Sequence, residues 1–520
     1  MAIALQYDKI IKYRATATCR EPLHIGDAVG TREEVLVHPI DEMPFIQATS
    51  IAGVFRDYFV RAKGAAQAAG LFGVSRRDGE AAGQEASEEA GDSGTANREI
   101  SEDFTAETDR KNDAAENGIG QKSAGQNDIG HNSTERNRAQ GSGREAAVGD
   151  SVGASRVRFT DGTFVTEEKG ILMELRPRLA INRATGTCSE STVKGTDRSS
   201  GHKFNMEYVG AGACFQFSVY LYDTEYQEAL EEIFAAMNSE NIQFGGQKSN
   251  GCGYVRIDRL ERAVFDMKKA EDRRKWAEED SLPASSYEDI TKALPSGSGY
   301  RKAYEITVAG RTEGELLVKG IAVMDEDENA PDAVNMKNAG GDYIIPGSSL
   351  KGAVRSQMER IAVWLGCEEV IRETFGSAAE ADGRGATGNI AFFDTIVGRA
   401  AENDRAAVRH RIHIDKFTGG VMERALFSEK NVSGEMKLRI TVSDKNTPDR
   451  SCALLLLALR DLAIGVMSLG SGYNIGKGIM EVDTITVTER GGGKASIDFK
   501  AKRTEDESGL IGRIMASLRV

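Results

Sequence analysis

Residues 343–355 read Tyr343-Ile344-Ile345-Pro346-Gly347-Ser348-Ser349-Leu350-Lys351-Gly352-Ala353-Val354-Arg355. A short apolar strand ends here in a turn of proline and small residues, and the turn opens a helix. Residues 44–56 repeat this order as Pro44-Phe45-Ile46-Gln47-Ala48-Thr49-Ser50-Ile51-Ala52-Gly53-Val54-Phe55-Arg56. The two segments therefore predict the same strand, turn and helix at two places in the chain.

Further blocks follow both segments in the same order. They pair Leu71-Phe72-Gly73 with Thr374-Phe375-Gly376, Arg178-Leu179-Ala180-Ile181-Asn182 with Arg411-Ile412-His413-Ile414-Asp415, and the glycine-rich residues 244–253 with 469–478. Four blocks in one order predict two copies of one domain. The offset between the copies shrinks from the first block (residues 44 and 343) to the last (residues 245 and 470), so the first copy should carry an insertion.

Residues 75–155 match this insertion. They consist mainly of Gly, Ala, Ser, Asn, Glu and Asp, with 17 acidic and 9 basic side chains. Such a segment has too few apolar side chains to offset the entropy that ordering costs, which predicts disorder. Much of the formal net charge of -14 lies here, so the remaining chain is closer to neutral and leaves room for local basic clusters.

Each copy is predicted to mix helices and strands. Alternating strands at 213–221 and 436–442 precede apolar helices at 226–236 and 452–465, and closing strands follow at 253–257 and 478–485. This order indicates an α+β fold with a ferredoxin-like, RRM-like core. The predicted boundaries are 1–267 for the first domain, 268–302 for a polar linker, 303–490 for the second domain and 491–520 for a C-terminal tail.

Composition excludes several other classes. No run of about 18 apolar residues could span a membrane, and the N-terminus has no secretory pattern, so we expect a cytoplasmic protein without membrane contact. The six cysteines form no C-x-x-C pair, which argues against a zinc ribbon and a disulfide scaffold. The segment at 471–478 also fails the P-loop pattern, because Ser471 replaces a glycine and Gly478 replaces the magnesium-binding Ser or Thr.

The glycine-rich loops and the helix starts favour contact with phosphate groups. Small residues let backbone N–H groups approach an anion, a helix start offers N–H donors, and lysine or arginine neutralises the charge. Glycine is also the ordinary residue of tight turns, so each loop alone could be only a turn. The candidate residues for binding a phosphate-containing ligand are His24, Ser50, Arg56, Gly245, Gly246, Lys248, Ser249, Gly251, Ser348, Ser349, Lys351, Arg355, Gly470, Gly472, Tyr473, Gly476 and Lys477.

The combination of I-P-G-S-S-L-K-G, the I-D-x-x-T-G block and the glycine-rich loop resembles the RAMP (repeat-associated mysterious protein) superfamily. Within it, the sequence is similar to backbone subunits of type III CRISPR effector complexes, here as two fused copies. The resemblance implies two tandem ferredoxin-like (modified RRM) domains that bind CRISPR RNA beside other effector subunits. It also implies cleavage of the paired target RNA with Mg²⁺ or Mn²⁺.

The same resemblance places a catalytic carboxylate in the loop before residue 343. Asp332 matches best and is the candidate metal ligand, while Asp325 and Asp327 remain alternatives. A solvated acidic loop is the structural alternative. In the first copy Arg32 aligns with Asp332, so weaker cleavage or none is expected there, with Glu33 or Asp27 as candidates.

Two features of the resemblance keep alternatives open. The hairpin after each I-D-x-x-T-G block corresponds to a thumb that displaces one base of the duplex, for which Val421, Met422 or Leu426 could serve; a plain surface hairpin is the alternative. His24 could assist RNA positioning or could be a packed histidine. The competing function is a non-catalytic RNA-binding scaffold in the same kind of complex.

Overall fold

The computed structural model describes residues 7–26, 33–73, 155–165, 171–182, 190–192, 199–201, 203–294, 302–321, 331–377, 385–398 and 407–518. The predicted insertion at 75–155 lies outside these residues, apart from Ser155. The chain on either side of it is joined, because the Arg156 N–H donates to the Leu71 carbonyl at 2.9 Å. The insertion therefore interrupts one domain.

The first half contains eleven strands and four helices among its described residues. The strands are β1 Lys9–Cys19, β2 Phe45–Ile46, β3 Val157–Phe159, β4 Gly162–Phe164, β5 Met173–Leu179, β6 Glu190–Thr192, β7 Ser199–Gly201, β8 Lys203–Val209, β9 Cys214–Leu221, β10 Val255–Asp266 and β11 Glu288–Asp289. The helices are α1 Ala48–Lys63, α2 Ala65–Phe72, α3 Gln227–Asn238 and α4 Ala270–Ala277.

The second half repeats this order. Its described strands are β12 Lys302–Glu313, β13 Ala333–Val334, β14 Ile344–Ile345, β15 Ile390–Phe392, β16 Thr395–Ile396, β17 Ala407–Ile414, β18 Val421–Asn431, β19 Glu435–Ser443, β20 Ile479–Glu489, β21 Lys494–Asp498 and β22 Arg503–Glu505. Its described helices are α5 Gly347–Leu365, α6 Glu369–Phe375, α7 Pro448–Ala463 and α8 Leu510–Ala516.

Both sheets have the ferredoxin-like strand order. In the first, β10 pairs with β1, β1 with β9, and β9 with β3 and β4, all antiparallel. In the second, the order β20, β12, β19, β15 is the same. Counted along each domain, this is the order 4-1-3-2 of a β-α-β-β-α-β unit. The predicted α+β fold of two ferredoxin-like domains is confirmed.

The helices cover one face of each sheet because their apolar residues recur at helical spacing. On α5, Leu350, Val354, Met358 and Ile361 are buried and lie on one face. On β12 the residues alternate, so that Tyr304, Ile306 and Val308 point into the same core. Helix α7 begins four residues before its predicted start, because Pro448 is accepted in the first helical turn.

The segments assigned to a linker and to a tail are partly folded. Helix α4 and the residues after it pack on the first sheet through Trp276, Leu282 and Tyr287. Strand β21 pairs with β20, and Leu510 and Ile514 of α8 enter the second core. The domain boundaries given above remain a prediction.

The two halves form one compact unit and contact each other directly. Glu240 of the first half forms ion pairs with Arg439 and, at 3.3 Å, with Lys302 of the second. The rings of Tyr254 and Phe393 stack with centroids 5.4 Å apart. The contact is head-to-tail, because it joins different surfaces of two similar domains.

Candidate nucleic-acid interface

The two glycine-rich loops have the same backbone path. Each contains one 3-10 turn, Lys248–Asn250 in the first half and Tyr473–Ile475 in the second. A residue with positive φ stands on both sides of each turn: Gln247 and Gly251 in the first loop, Gly472 and Gly476 in the second. The equivalence that the sequence indicated therefore holds residue by residue.

Several loop glycines are required by packing alone. A Cβ atom on Gly245 would lie 2.1 Å from the His24 carbonyl oxygen, and one on Gly470 would lie 2.5 Å from the Leu317 carbonyl oxygen. The loops also close on themselves, since a Cβ on Gly253 or Gly478 would clash with the carbonyl at the loop's start. The residues open to a ligand are those of the turns, such as exposed Lys248 and Tyr473.

The first loop meets the start of the second half's helix α5. A Cβ on Gly347 would lie 2.6 Å from the Asn250 carbonyl oxygen, which shows how closely the backbones approach. The Lys351 ammonium donates to the Ser249 hydroxyl at 2.7 Å. Two predicted RNA-binding blocks from different copies are thus brought together, and we call this place the junction.

Cations converge at the junction. Burial, followed by the nearby Arg355 and Arg178, lowers the pKa of Lys351. Arg178, which sequence reasoning did not select, donates to Gln247 Oε1 at 2.9 Å and to the Tyr208 hydroxyl. Arg355 forms one ion pair, with Glu359 at 2.8 Å. Like charges this close repel, and an anion placed among them would relieve that repulsion.

An aspartate holds the start of each long helix. Asp394 Oδ1 accepts the Gly347 N–H at 2.8 Å, and Asp161 Oδ1 accepts the Ala48 N–H at 2.7 Å. Each aspartate follows a short apolar strand, and this position is a sequence signal for the role. Asp394 also pairs with the buried Arg176 at 2.7 Å across the two halves. Ser348 and Ser349 lie half-buried in the next positions of α5.

The second loop borders the second thumb hairpin. A cavity there is lined by Glu315, Arg409, His410, Arg411, Ile475, Gly476 and Lys477. The Lys477 side chain is buried, and its ammonium donates to Glu429 at 2.7 Å and Asn431 at 2.8 Å. Arg409 and Arg411 also form ion pairs, with Glu315 and Glu429, but they are more exposed than Lys477 and are therefore the cations that a ligand in this cavity could reach.

Asp332 lies beside strand β18 of the same hairpin. Its Oδ2 accepts the Ser428 N–H at 2.7 Å and the Ser428 hydroxyl at 2.9 Å, and these bonds lower the pKa of the exposed Asp332 carboxyl. Asp325 and Asp327 fall outside the described residues. Ser428 therefore holds the Asp332 carboxylate in place, and the lowered pKa favours its ionised form, at the position that the resemblance selected.

The donor set at Asp332 fits a hard divalent cation that shares its site with RNA. Across the described residues, no group of three or more His, Cys, Asp or Glu side chains is arranged to hold a metal ion. Mg²⁺ is commonly held by one or two carboxylates together with substrate phosphates and water. A single aspartate at this position is compatible with that arrangement.

The corresponding positions of the first half look different. Asp27 and Arg32 lie outside the described residues, and Glu33 is half-buried, with its carbonyl accepting the Glu207 N–H at 2.8 Å. His24 is buried; its Nδ1 lies 2.7 Å from the Glu207 carbonyl oxygen and its ring packs on Tyr208. Ser50 and Arg56 lie on α1 and are half-buried.

The second thumb presents apolar side chains to its surroundings. The candidate wedge residues Val421, Met422 and Leu426 are exposed. Phe417, at the tip between β17 and β18, is 99% exposed and was not selected from the sequence. Its position in a T-G turn could have indicated a hairpin tip. Exposing this many apolar side chains to water is unfavourable. The thumb is therefore expected to be covered by a binding partner.

The comparison with protein families agrees with two similar domains in this chain. The profile of the RAMP superfamily matches residues 16–256 and 296–481. Among solved structures, the chain is similar to one in the cryo-EM structure of the Type III-B Cmr-beta bound to cognate target RNA, at 12% identity and a TM-score of 0.26. That match covers 49% of this chain and 61% of the other, which is less than two thirds of its length.

No curated protein matches the chain. In the ranges that the structure describes, no helix has the length and apolar character of a membrane span. The RAMP profile covers most of the chain, and its two matched regions coincide with the two ferredoxin-like halves. The protein therefore belongs to the RAMP superfamily, and it carries two copies of the superfamily's domain.

Proposed function

We propose that this protein is a CRISPR RNA-binding backbone subunit of a type III interference complex, which cleaves guide-paired target RNA mainly through its second half. The observation that carries the RNA-binding part is the junction. There, Lys351 and Arg355 of one copy meet Arg178 and Ser249 of the other, and burial and like charges lower the pKa of Lys351. A phosphodiester backbone supplies the anions that such a cluster favours.

Sequence-tolerant binding follows from the chemistry of these groups. Backbone amides, hydroxyls and cations contact phosphate and ribose, which are the same in every nucleotide. A guide RNA must vary in sequence while its protein stays the same. The junction is therefore suited to hold the guide, and the bases remain available for pairing with a target.

Cleavage is assigned to the second half because Asp332 is ionised and held there by Ser428. Mg²⁺ or Mn²⁺ bound beside it would stabilise the charge that develops on the phosphate. Asp332 itself would hold the metal or orient the attacking ribose hydroxyl. In the first half the aligned residue is Arg32, which brings a positive charge where a metal ligand is expected.

Other effector subunits are the proposed protein partners, in the cytoplasm. The head-to-tail contact between the halves leaves two unlike outer ends. One carries the start of α1 with Asp161 and the 87% exposed Ile40, and the other carries the second glycine-rich loop with exposed Tyr473 and Ile475. We expect subunits of related fold to bind at these ends.

The competing proposal is a non-catalytic RNA-binding scaffold. It is favoured by the two hydrogen bonds from Ser428, because they give Asp332 a structural role that needs no chemistry. The two functions differ in one measurement. Asp332→Ala in the reconstituted complex should abolish at least one cut while guide and target binding persist, and an unchanged set of cuts would support the scaffold.

The matched variant for this experiment is Ser428→Ala. It removes both hydrogen bonds of the Ser428 hydroxyl with Asp332, one to the carboxylate and one from the Asp332 N–H, but leaves the carboxylate and its bond from the Ser428 N–H in place. If Asp332 acts in cleavage, this variant should cut more slowly, whereas Asp332→Ala should not cut at that position. Single Asp325→Ala and Asp327→Ala variants test the two alternatives in the same assay.

A further inference from the structure

Asp332, Ser428 and His410 form a row that runs from the residue preceding β13 across β18 to β17. Residue 332 lies beside Ser428, which holds its carboxylate through hydrogen bonds of 2.7 and 2.9 Å. Strand β17 pairs antiparallel with β18, and in this register His410 lies directly opposite Ser428. Residues opposite each other on paired strands point to the same face. A carboxylate, a hydroxyl and an imidazole therefore share one face of the thumb sheet.

The spacing of the row suits a phosphodiester. Neighbouring strands lie about 4.8 Å apart, so Asp332 and His410 are separated by about two strand spacings, roughly 10 Å between backbones. Both side chains are exposed, and Ser428 lies between them. A phosphate group above Ser428 would have the carboxylate on one side and the imidazole on the other.

An exposed apolar pair lies next to the row. Ile412 and Leu426 are opposite each other in the same register, on the same face as His410. Both are more than half exposed. Attack of a ribose 2′-hydroxyl on its own phosphate needs an in-line geometry that a stacked duplex strand does not provide. Apolar side chains that displace a base would release the strand into such a geometry at this place.

The first half does not repeat the row. Its hairpin has Pro177 opposite Asn205, at the positions of His410 and Ser428. Arg32 aligns with Asp332 in the sequence. Proline has no proton to donate, and arginine is not a base at neutral pH. The carboxylate, the hydroxyl and the imidazole of the second half are thus all replaced in the first half. This is expected if the three groups act together in one reaction.

We propose that His410 is the general acid of target-RNA cleavage in the second half. This rests on the proposed function and adds a residue to it. The Asp332 carboxylate orients the 2′-hydroxyl, whose proton passes to the solvent; the bond from O2′ to phosphorus forms, and the bond from phosphorus to O5′ breaks. The imidazolium of His410 gives its proton to O5′, so the products are a 2′,3′-cyclic phosphate and a 5′-hydroxyl.

Histidine is suited to this step. The imidazole ring can carry a proton near neutral pH, and after donating it the ring takes up another proton from the solvent. The arginines on either side, Arg409 and Arg411, point to the opposite face, where they pair with Glu315 and Glu429. They are placed to bind phosphate but not to protonate a leaving group, because arginine keeps its proton.

The test compares two RNA targets that differ at one atom. One has the ordinary 5′-oxygen at the scissile position, and the other has a bridging 5′-sulfur, whose thiolate leaves without protonation. The full chain, assembled with guide RNA and partner subunits, is assayed as wild type, His410→Ala and His413→Ala. His413 is an exposed histidine of the same strand, three residues from His410 and without a partner in this register, and it serves as the matched control.

We expect His410→Ala to slow cleavage of the oxygen target by about 100-fold or more, and to cut the sulfur target within about threefold of wild type. His413→Ala should resemble wild type on both. A loss of equal size on both targets, which misfolding of the hairpin would also give, overturns the role of His410. If wild type cuts neither target, the proposed cleavage itself is wrong.

Discussion

The junction makes a quantitative prediction about RNA binding. Lys351 and Arg178 lie in one cationic cluster, and each is placed to neutralise one phosphate. For single-stranded RNA, each phosphate contact adds about 0.7 to the slope of log affinity against log salt. The double variant Lys351→Ala, Arg178→Ala should therefore have a slope smaller by about 1.4. Between 50 and 200 mM salt, its affinity should change about sevenfold less than that of wild type.

The assay is fluorescence anisotropy of a labelled RNA of guide length with the full chain over a salt series. Arg360→Ala is the control, because Arg360 is an exposed residue of α5 outside the cluster. It should leave the slope unchanged. A second RNA of unrelated sequence should give the same difference. If the double variant keeps the wild-type slope while remaining folded, the RNA does not contact the junction and the reasoning is wrong.

The other predictions concern pH, the insertion, the thumb and the metal. Burial, followed by Asp394, raises the pKa of Glu21 to about 8, so its ionisation disfavours the folded state, and stability should fall as pH rises from about 4 to 8. Glu21→Gln should remove this loss. At pH 7 the variant should have an unfolding free energy higher than that of wild type by on the order of 3 kcal/mol, and at pH 4 the two should be equal, as measured by urea denaturation. Deleting residues 78–152 should leave the melting temperature and RNA binding nearly unchanged, since Leu71 and Arg156 are already hydrogen-bonded; a large drop would contradict this. Phe417→Ala should keep the melting temperature, because the ring is 99% exposed, while changing the cleavage pattern in product mapping. Chelation should stop cleavage and Mn²⁺ should restore it, with guide binding preserved; cutting that persists after chelation would exclude the metal.

Local patterns predicted much of the fold. The strand, turn and helix at 343–355 and 44–56 depend on residues within about a dozen positions, and so do the alternating strands β9 and β19. The repeated order of blocks then gave two copies of one domain. The roles of Lys477 and His24 could not be predicted in this way, because burial beside Glu429 or Tyr208 depends on a partner far along the chain.

The sequence by itself determined that two ferredoxin-like copies exist, where a segment interrupts the first, and which loops carry the cations. Only the tertiary structure decided that the first copy's glycine-rich loop lies on the second copy's helix start, and that Arg178 joins Lys351 there. It also decided that Asp332, Ser428 and His410 share one face, although Asp332 and Ser428 are 96 residues apart. The physical reason is that strand register and domain packing are set by the complementarity of whole surfaces, which a single sequence does not display.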